Sequence, residues 1–288
     1  MPATQEAMQI ESTPMSSDGQ AETPAESRWL PTIISAPFGN YIQPKGCTAT
    51  LGTFTAMARG GRVTQIVKTV RYYPRLKAWV NRIGLRNPGL GWVERKHAAG
   101  KLDPTDKLIS IHGFDESQWL DLLQRCAALK PLGVELNMSC PNIGEVSWPD
   151  SLFPASAQVE REQGVPVVVK LPPVRYAQMA KAAVDAGLTR FHACNTLPVP
   201  AGGLSGAPLK PVALACIADL RKTYGKAIEI TAGGGIRAAD DVRDFADAGA
   251  DTFAVGTKVM NPIYLFSHGG IAGIKAAAEE AASHAHVP

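Results

Sequence analysis

Two carboxamides flank a thiol within a stretch of six residues, Asn137-Met138-Ser139-Cys140-Pro141-Asn142. A carboxamide donates and accepts hydrogen bonds at once, which suits a neutral planar ring that carries imide and carbonyl groups. A thiol beyond a strand end can act as a base or a nucleophile when its pKa is lowered or when it is shielded from water with its substrate. The stretch therefore predicts a reactive centre built from Cys140, Asn137 and Asn142.

The other four cysteines carry no such signal. We predict that Cys126, Cys194 and Cys216 are inert core residues, and we leave Cys47 unassigned. Five cysteines without a C-x-x-C pair argue against a disulfide framework and a cysteine metal site, so we expect no bound metal. This usage fits a reducing compartment, and we expect a cytoplasmic protein.

Two glycine loops are typical of an anion site. Gly233-Gly234-Gly235 follows one predicted strand, and Gly256-Thr257 follows the next. Glycine lets backbone N–H groups approach an anion closely, and barrels often bind phosphate in the loops after their last two strands. The loops predict a phosphorylated ligand, with Gly206 as a further contact, and leave open whether that ligand is a substrate or a cofactor.

Two lysines end predicted strands, where packing does not explain them. Lys68 precedes Thr69, and Lys170 ends a run of valines. Burying an unpaired lysine costs several kcal/mol or shifts its pKa. We predict that Lys170 neutralises a negative charge, such as that of a reduced flavin or a carboxylate. Asn195-Thr196 closes a further strand, whereas Asn81 alone indicates an ordinary turn.

These residues need a scaffold that brings strand ends together. Eight short runs rich in β-branched residues alternate with helical patterns, which predicts a (β/α)8 TIM barrel, with a doubly wound open sheet as the competing fold. The predicted strands are Thr32–Ser35, Gln65–Thr69, Leu108–Ile111, Val134–Asn137, Val167–Leu171, Arg190–Ala193, Ile228–Thr231 and Thr252–Val255. The predicted helices include Glu116–Lys130, Tyr176–Ala186, Pro211–Tyr224 and Ala239–Ala248, with Asp115 and Asp240 as N-caps.

The amino-acid composition excludes several classes of protein and partner. The chain has 288 residues, and 29 Lys and Arg against 26 Asp and Glu give a net charge of +3. This balance argues against nucleic acid or a membrane surface as a partner, and no run approaches the roughly 20 apolar residues of a membrane-spanning helix. Because residues 1–28 hold almost no bulky apolar side chains, we predict a disordered leader over 1–28 and one barrel domain over 29–288.

Taken together, these residues resemble the dihydroorotate dehydrogenase family, and within it the class 1, cysteine-dependent branch. The resemblance runs from about Thr32 to Pro262. It rests on ordered motifs at Lys68-Thr69, Asn81–Gly89, Asn137–Asn142, Val169–Pro173, Asn195-Thr196, Gly202–Gly206, Leu209–Pro211 and Gly233–Ile236.

The resemblance implies an FMN-dependent oxidoreductase that converts dihydroorotate to orotate in pyrimidine biosynthesis. Cys140 would be the general base, and Lys170 would face the isoalloxazine ring. The residues implied to contact FMN are Ser35, Ala36, Lys68, Thr69, Asn137, Lys170, Asn195, Gly206, Gly233, Gly234, Gly235, Gly256 and Thr257. Those implied to bind the substrate are Lys68, Asn81, Asn137, Asn142, Asn195 and Thr196.

The electron acceptor stays open at this point. Class 1 enzymes use fumarate or pass electrons to a separate iron–sulfur and FAD subunit that reduces NAD, and the resemblance also implies a homodimer. Ala36 stands where the family usually has glycine, and the segment 143–154 is short. Other functions therefore stay open: oxidation of another dihydropyrimidine, action on tRNA dihydrouridine, a flavin-free phosphate-binding isomerase or lyase, and a non-catalytic barrel.

Overall fold

The computed structural model describes residues 27–138 and 148–284, and eight of its strands close into a barrel. In chain order the strands are β1 (Thr32–Ile34), β2 (Thr48–Phe54), β3 (Arg71–Tyr73), β4 (Ala78–Asn81), β5 (Lys107–Ile111), β6 (Gly133–Asn137), β7 (Val167–Lys170), β8 (Arg190–Ala193), β9 (Leu197–Val199), β10 (Gly202–Gly206), β11 (Glu229–Gly233) and β12 (Thr252–Val255). The barrel order is β1-β12-β11-β8-β7-β6-β5-β2, and all neighbours are parallel. The predicted TIM barrel is confirmed.

Helices follow most barrel strands and cover the outside of the barrel. They are α1 (Arg62–Thr69), α2 (Leu90–Ala98), α3 (Glu116–Ala128), α4 (Leu152–Gln163), α5 (Tyr176–Asp185), α6 (Lys210–Tyr224), α7 (Ala239–Asp247) and α8 (Ala272–His284). Short 3-10 turns lie at Phe38–Asn40, Pro74–Leu76, Ala207–Leu209, Gly225–Ala227, Thr257–Met260, Pro262–Leu265 and Gly269–Ile271. Among the described residues, no helix combines the length and the apolarity needed to cross a bilayer.

The barrel strands are buried on both faces, which explains their apolar runs. Every residue of β6, β7 and β12 is buried. The strand register aligns Asn137 of β6 with Lys170 of β7, and Lys170 with His192 of β8. Hydrophobic burial thus fixes three polar side chains at one level near the carboxyl ends of adjacent strands.

The prediction of a strand at Gln65–Thr69 is wrong. That segment forms helix α1, in which no residue is buried, and the second barrel strand is β2. The β-branched residues Ile66, Val67 and Thr69 favour a strand locally, but no neighbouring element covers them on both faces. The Thr- and Gly-rich sequence of β2 gives no continuous apolar run, although six of its seven residues are buried.

The other seven predicted barrel strands and the four predicted helices are present, with ends shifted by at most two residues. Asp115 accepts a hydrogen bond from the Gln118 backbone N–H (2.8 Å) and caps α3 as predicted. The N-cap prediction for Asp240 is wrong, because the N-cap of α7 is Ala238, whose N–H donates to the Asp241 carboxylate. Of the predicted leader, residues 1–26 lie outside the described residues.

A second, four-stranded sheet has the order β3-β4-β10-β9 and is antiparallel throughout. In this sheet Asn81 of β4 pairs with Gly203 of β10. The sheet joins two segments that are far apart in the sequence, the β2–α2 connection and the β8–α6 connection. Sequence patterning predicts neither element of the β9–β10 hairpin.

Gly52 in β2 is required by its surroundings. Its φ is +110°, and a Cβ built there would lie 2.4 Å from the Ser110 carbonyl oxygen. The Asn40 carboxamide holds the same residue from the other side, donating to the Gly52 carbonyl (3.0 Å) and accepting from its N–H (3.1 Å). Position 52 therefore excludes any side chain.

We expect Gly52→Ala to lower the free energy of unfolding by about 3 kcal/mol, because it adds backbone strain and a collision with a buried carbonyl. Chemical denaturation followed by tryptophan fluorescence measures the change. Gly60→Ala is the matched control, because a Cβ at Gly60 meets no atom within 4 Å. If the two variants are equally stable, the conclusion that position 52 excludes a side chain is contradicted.

Candidate active site

A cavity of about 460 Å³ opens at the carboxyl ends of the barrel strands. Residues from seven of the barrel strands or the loops after them line it, together with β4, β10 and the loop before α2. The lining includes the predicted site residues Ser35, Ala36, Asn81, Asn137, Lys170, Asn195, Thr196, Gly234, Gly235, Gly256 and Thr257. The fold thus brings most of the predicted site together in one place.

The two glycine loops form one part of this cavity. Gly234 and Gly235 have φ values of +100° and +95°, a left-handed conformation that side chains disfavour. A Cβ at either residue would lie 2.7 to 2.8 Å from Leu209 or Lys210, so neither position accepts a larger residue without rearrangement. Gly256 and Thr257 line the same cavity from the neighbouring strand.

A hydrogen-bonded chain of carboxamides lies in the same cavity. The Asn137 Nδ2 group donates to the Thr53 hydroxyl (2.8 Å), and Asn195 Nδ2 donates to Asn137 Oδ1 (2.8 Å). His112 Nδ1 donates to the Asn137 carbonyl oxygen (2.7 Å), because a carbonyl can only accept. These bonds fix the orientation of Asn137 and Asn195, so the cavity presents preset polar groups to a ligand.

Lys170, Glu135 and His192 form a buried charged cluster beneath the amides. Lys170 Nζ lies 3.6 Å from Glu135 Oε1, and His192 Nδ1 lies 2.7 Å from Glu135 Oε2. Burial acts to raise the pKa of Glu135, but the Lys170 charge and the His192 hydrogen bond outweigh it and hold that pKa at about 2. The carboxylate is therefore ionised at neutral pH, and His192 must donate its Nδ1–H to it.

His192 is the neutral member of this cluster. Burial, followed by the nearby charge of Lys170, lowers its pKa below the ordinary value. Its ring also fills space next to β11, because a Cβ at Gly233 would lie 2.3 Å from His192 Nε2. Gly233 thus packs against His192 and does not itself line the cavity.

The structure places Lys68 and Thr69 away from the cavity. Both lie in α1, where Lys68 is exposed and the Thr69 hydroxyl donates to the Gln65 carbonyl. The strand that was expected to carry them is absent, and neither residue is among those that line the cavity. Gly206 also does not line the cavity, and pairs with Ala78 in the second sheet.

Cys140 and Asn142 lie outside the described residues, so their roles stay predictions. Cys194 is predicted to be inert core, yet it lines the cavity while almost fully buried. Burial raises its pKa to about 12, which keeps it a protonated thiol. Burial also raises the pKa of Cys126 and Cys216, as expected for inert core thiols.

Sequence reasoning missed several cavity residues, namely Asn40, Gly52, Thr53, Arg62, Arg86 and His192. For Glu135 and His192 a signal existed, since ionisable side chains inside predicted buried strands require partners. For Arg62 and Arg86 there was none, because charged residues next to glycines usually indicate exposed loops. Only the tertiary fold brings these loops to the barrel mouth.

The cavity residues fit the FMN that the resemblance implies. Glycine loops suit the phosphate, and carboxamides and a lysine suit the polar edge of a flavin ring. The cavity lining contains no Asp or Glu among the described residues, in keeping with a ligand that bears negative charge. Gly234, Gly235, Gly256 and Thr257 would hold the phosphate, and Lys170, Asn137 and Asn195 would contact the ring.

Comparison with known proteins gives consistent findings. The family model for dihydroorotate dehydrogenase matches residues 41–268. The catalytic subunit of dihydroorotate dehydrogenase B (NAD(+)) from Halalkalibacterium halodurans is 35% identical over 209 residues, covering 65% of this chain and 68% of the relative. The subunit of that name from Listeria monocytogenes is 35% identical over 216 residues, covering 66% and 69%.

A solved structure also shares the fold. The structure of dihydroorotate dehydrogenase from Eimeria tenella in complex with ferulenol has a TM-score of 0.68 at 18% identity and covers 89% of this chain and 82% of that one. At this identity the likeness concerns the barrel architecture.

We expect Glu135→Gln to lower the free energy of unfolding at pH 7 by about 3 kcal/mol, because it leaves Lys170 buried without a counter-charge. Urea titrations at several pH values measure this. Because the folded pKa is depressed, the carboxylate's contribution is complete above its unfolded pKa of about 4.3. It is lost as the pH falls through about 2, so the difference between wild type and variant shrinks on acidification.

Glu94→Gln is the control, because Glu94 pairs with Arg125 near the surface (2.8 Å) and its loss should cost less than about 1 kcal/mol. If Glu135→Gln and Glu94→Gln lower the free energy of unfolding equally, the buried cluster stabilises the fold no more than a surface ion pair does.

Proposed function

Because the chain belongs to the dihydroorotate dehydrogenase family, we propose that it oxidises dihydroorotate to orotate within the cavity at the barrel mouth. It is an FMN-dependent oxidoreductase of pyrimidine biosynthesis. One observation carries the proposal: a single cavity contains the glycine loops, the hydrogen-bonded carboxamides and a buried lysine.

The carboxamides orient the substrate ring. Asn137 and Asn195 are held by each other and by Thr53, and Asn81 lines the same cavity from β4. We assign Asn81, Asn137, Asn195 and Thr196, with Asn142, to the imide and carbonyl groups of the pyrimidine. Fixed donors and acceptors lower the cost of holding the ring in its reactive orientation.

Cys140 is the proposed general base. Oxidation of the ring removes one proton and one hydride from adjacent carbons, leaving a carbon–carbon double bond. FMN supplies the hydride acceptor, since no side chain can accept hydride. The Cys140 sulfur takes the proton, so proton, hydride and electron pair are all accounted for. In the sequence it stands three residues after Asn137, which we assign to the ring.

Lys170 is proposed to stabilise negative charge on the ring side of the cavity. It is buried, lines the cavity and keeps its position through Glu135. A fixed ammonium group in a site shielded from water stabilises a developing anion far better than it would in bulk solvent. Glu135 and His192 act as positioning residues for this group.

For partners, the named relatives are catalytic subunits of a dihydroorotate dehydrogenase B that uses NAD(+). We propose that this chain, too, passes its electrons to an iron–sulfur and FAD subunit, and that it forms a homodimer. The four described cysteines are free, in keeping with the cytoplasm as its proposed compartment.

We expect dihydroorotate to bleach the flavin of the purified protein under anaerobic conditions, and Cys140→Ser to slow this by at least about 100-fold at neutral pH. A hydroxyl is a far weaker base than a thiolate, so the rate is set by proton removal. Stopped-flow absorbance follows the reaction. Cys126→Ala is the control, since Cys126 is buried in α3 outside the cavity. Bleaching of Cys140→Ser at the wild-type rate would refute the role of the thiol.

We expect sedimentation equilibrium to give twice the chain mass of 30.6 kDa, that is, a homodimer.

We expect slow reoxidation of the reduced flavin by fumarate or NAD when the chain is alone, because the proposed acceptor chemistry lies on another subunit. Rapid direct reoxidation by fumarate would contradict the proposed partner, and a monomeric mass would contradict the dimer.

A further inference from the structure

The proposed substrate carries a carboxylate, and a carboxylate removed from water needs a positive partner. The resemblance implied a lysine at the end of the second barrel strand for substrate and flavin. The structure places Gly52-Thr53 at this point of β2, and Gly52 excludes any side chain. The cation must therefore come from elsewhere in the cavity.

Lys170 is already engaged. Its ammonium group is the counter-charge of the ionised Glu135, which is completely enclosed. A pair of this kind is close to electrically neutral, so it offers little attraction to a second carboxylate. The outer part of the cavity has to supply the charge.

Arg62 and Arg86 are the other two basic residues that line the cavity. The Nε atom of Arg86 is buried and has no hydrogen-bond acceptor among the described residues. Arg62 lies over the ring of Tyr41 (5.4 Å), and none of the described residues accepts a hydrogen bond from its guanidinium group. Both guanidinium groups thus retain donors for a ligand.

The chain holds these two arginines on adjacent segments. Arg59 and Asn87 exchange backbone hydrogen bonds of 2.8 and 3.1 Å, and Arg86 Nη1 donates to the Gly60 carbonyl (3.0 Å). The sequence has no Asp or Glu from Ser27 to Val93, and the part of the cavity lining that the structure describes contains none either. Both arginines therefore lie on segments that are hydrogen-bonded to each other, and no carboxylate among the described lining residues neutralises them.

We propose that Arg62 and Arg86 bind the carboxylate of the substrate and replace the lysine that the family pattern would supply. This inference rests on the proposed function and names the residues that select an anionic ring over a neutral one. A planar guanidinium group offers paired donors to a carboxylate, which gives it both affinity and orientation. The amide chain then holds the opposite, imide edge of the ring.

The test compares orotate with uracil, which is the same ring without the carboxylate. Equilibrium dialysis of the FMN-loaded protein measures both dissociation constants for wild type, Arg62→Gln, Arg86→Gln and the double variant. We expect orotate binding to weaken by about 30-fold in the double variant, from the loss of charge-assisted hydrogen bonds, and uracil binding to change by less than about 3-fold. Retained uracil binding also shows that the variants fold.

Lys68→Gln is the matched control, because Lys68 lies on the same helix as Arg62 but is exposed outside the cavity. It should leave both constants unchanged. The inference is overturned if the double variant binds orotate as tightly as wild type, or if orotate and uracil binding weaken equally. In either case, reduction of the wild-type flavin by dihydroorotate still supports the proposed function. A wild type that is not reduced by dihydroorotate and binds uracil as well as orotate overturns both.

Discussion

The ion pair between Glu135 and Lys170 is the constraint around which the site is organised. An ammonium group inside a closed barrel needs a carboxylate close by, and Lys170 together with the hydrogen bond from His192 lowers the pKa of the buried Glu135 carboxyl. The register of β6, β7 and β8 sets these groups side by side. A fixed charge is thereby available at the floor of the cavity without exposing it to water.

Different parts of the cavity above this ion pair suit different chemical groups. Glycine loops after β11 and β12 leave room for an anion, whereas the amide chain from Thr53 to Asn195 presents oriented donors and acceptors that suit a polar ring. Strand β4, helix α1 and the loop before α2 add Asn81, Arg62 and Arg86, respectively, from outside the barrel. Variation in these added segments can change which ring is accepted while the barrel floor keeps the same redox chemistry.

The sequence predicts the parts of the fold that depend on local patterning. Apolar strands such as β7 and β12 and the Asp115 cap follow from burial and capping alone. The strand β2 and helix α1 do not, because Ile66 and Val67 have the pattern of a strand but remain uncovered, whereas β2 is held by tertiary contacts such as the Asn40 clamp on Gly52. The difference extends to the site, because Lys68, which the resemblance assigns to flavin and substrate, lies on α1 outside the cavity.

The central claim is that a thiol at position 140 faces a ring held by Asn137 and Asn195 over FMN. A crystal structure of the FMN-loaded protein with orotate tests it most directly. We expect the Cys140 sulfur within van der Waals contact of the ring carbon next to the one that faces the flavin, with Lys170 on the flavin side. A sulfur turned away from the cavity, or a ring bound away from Asn137, would contradict it.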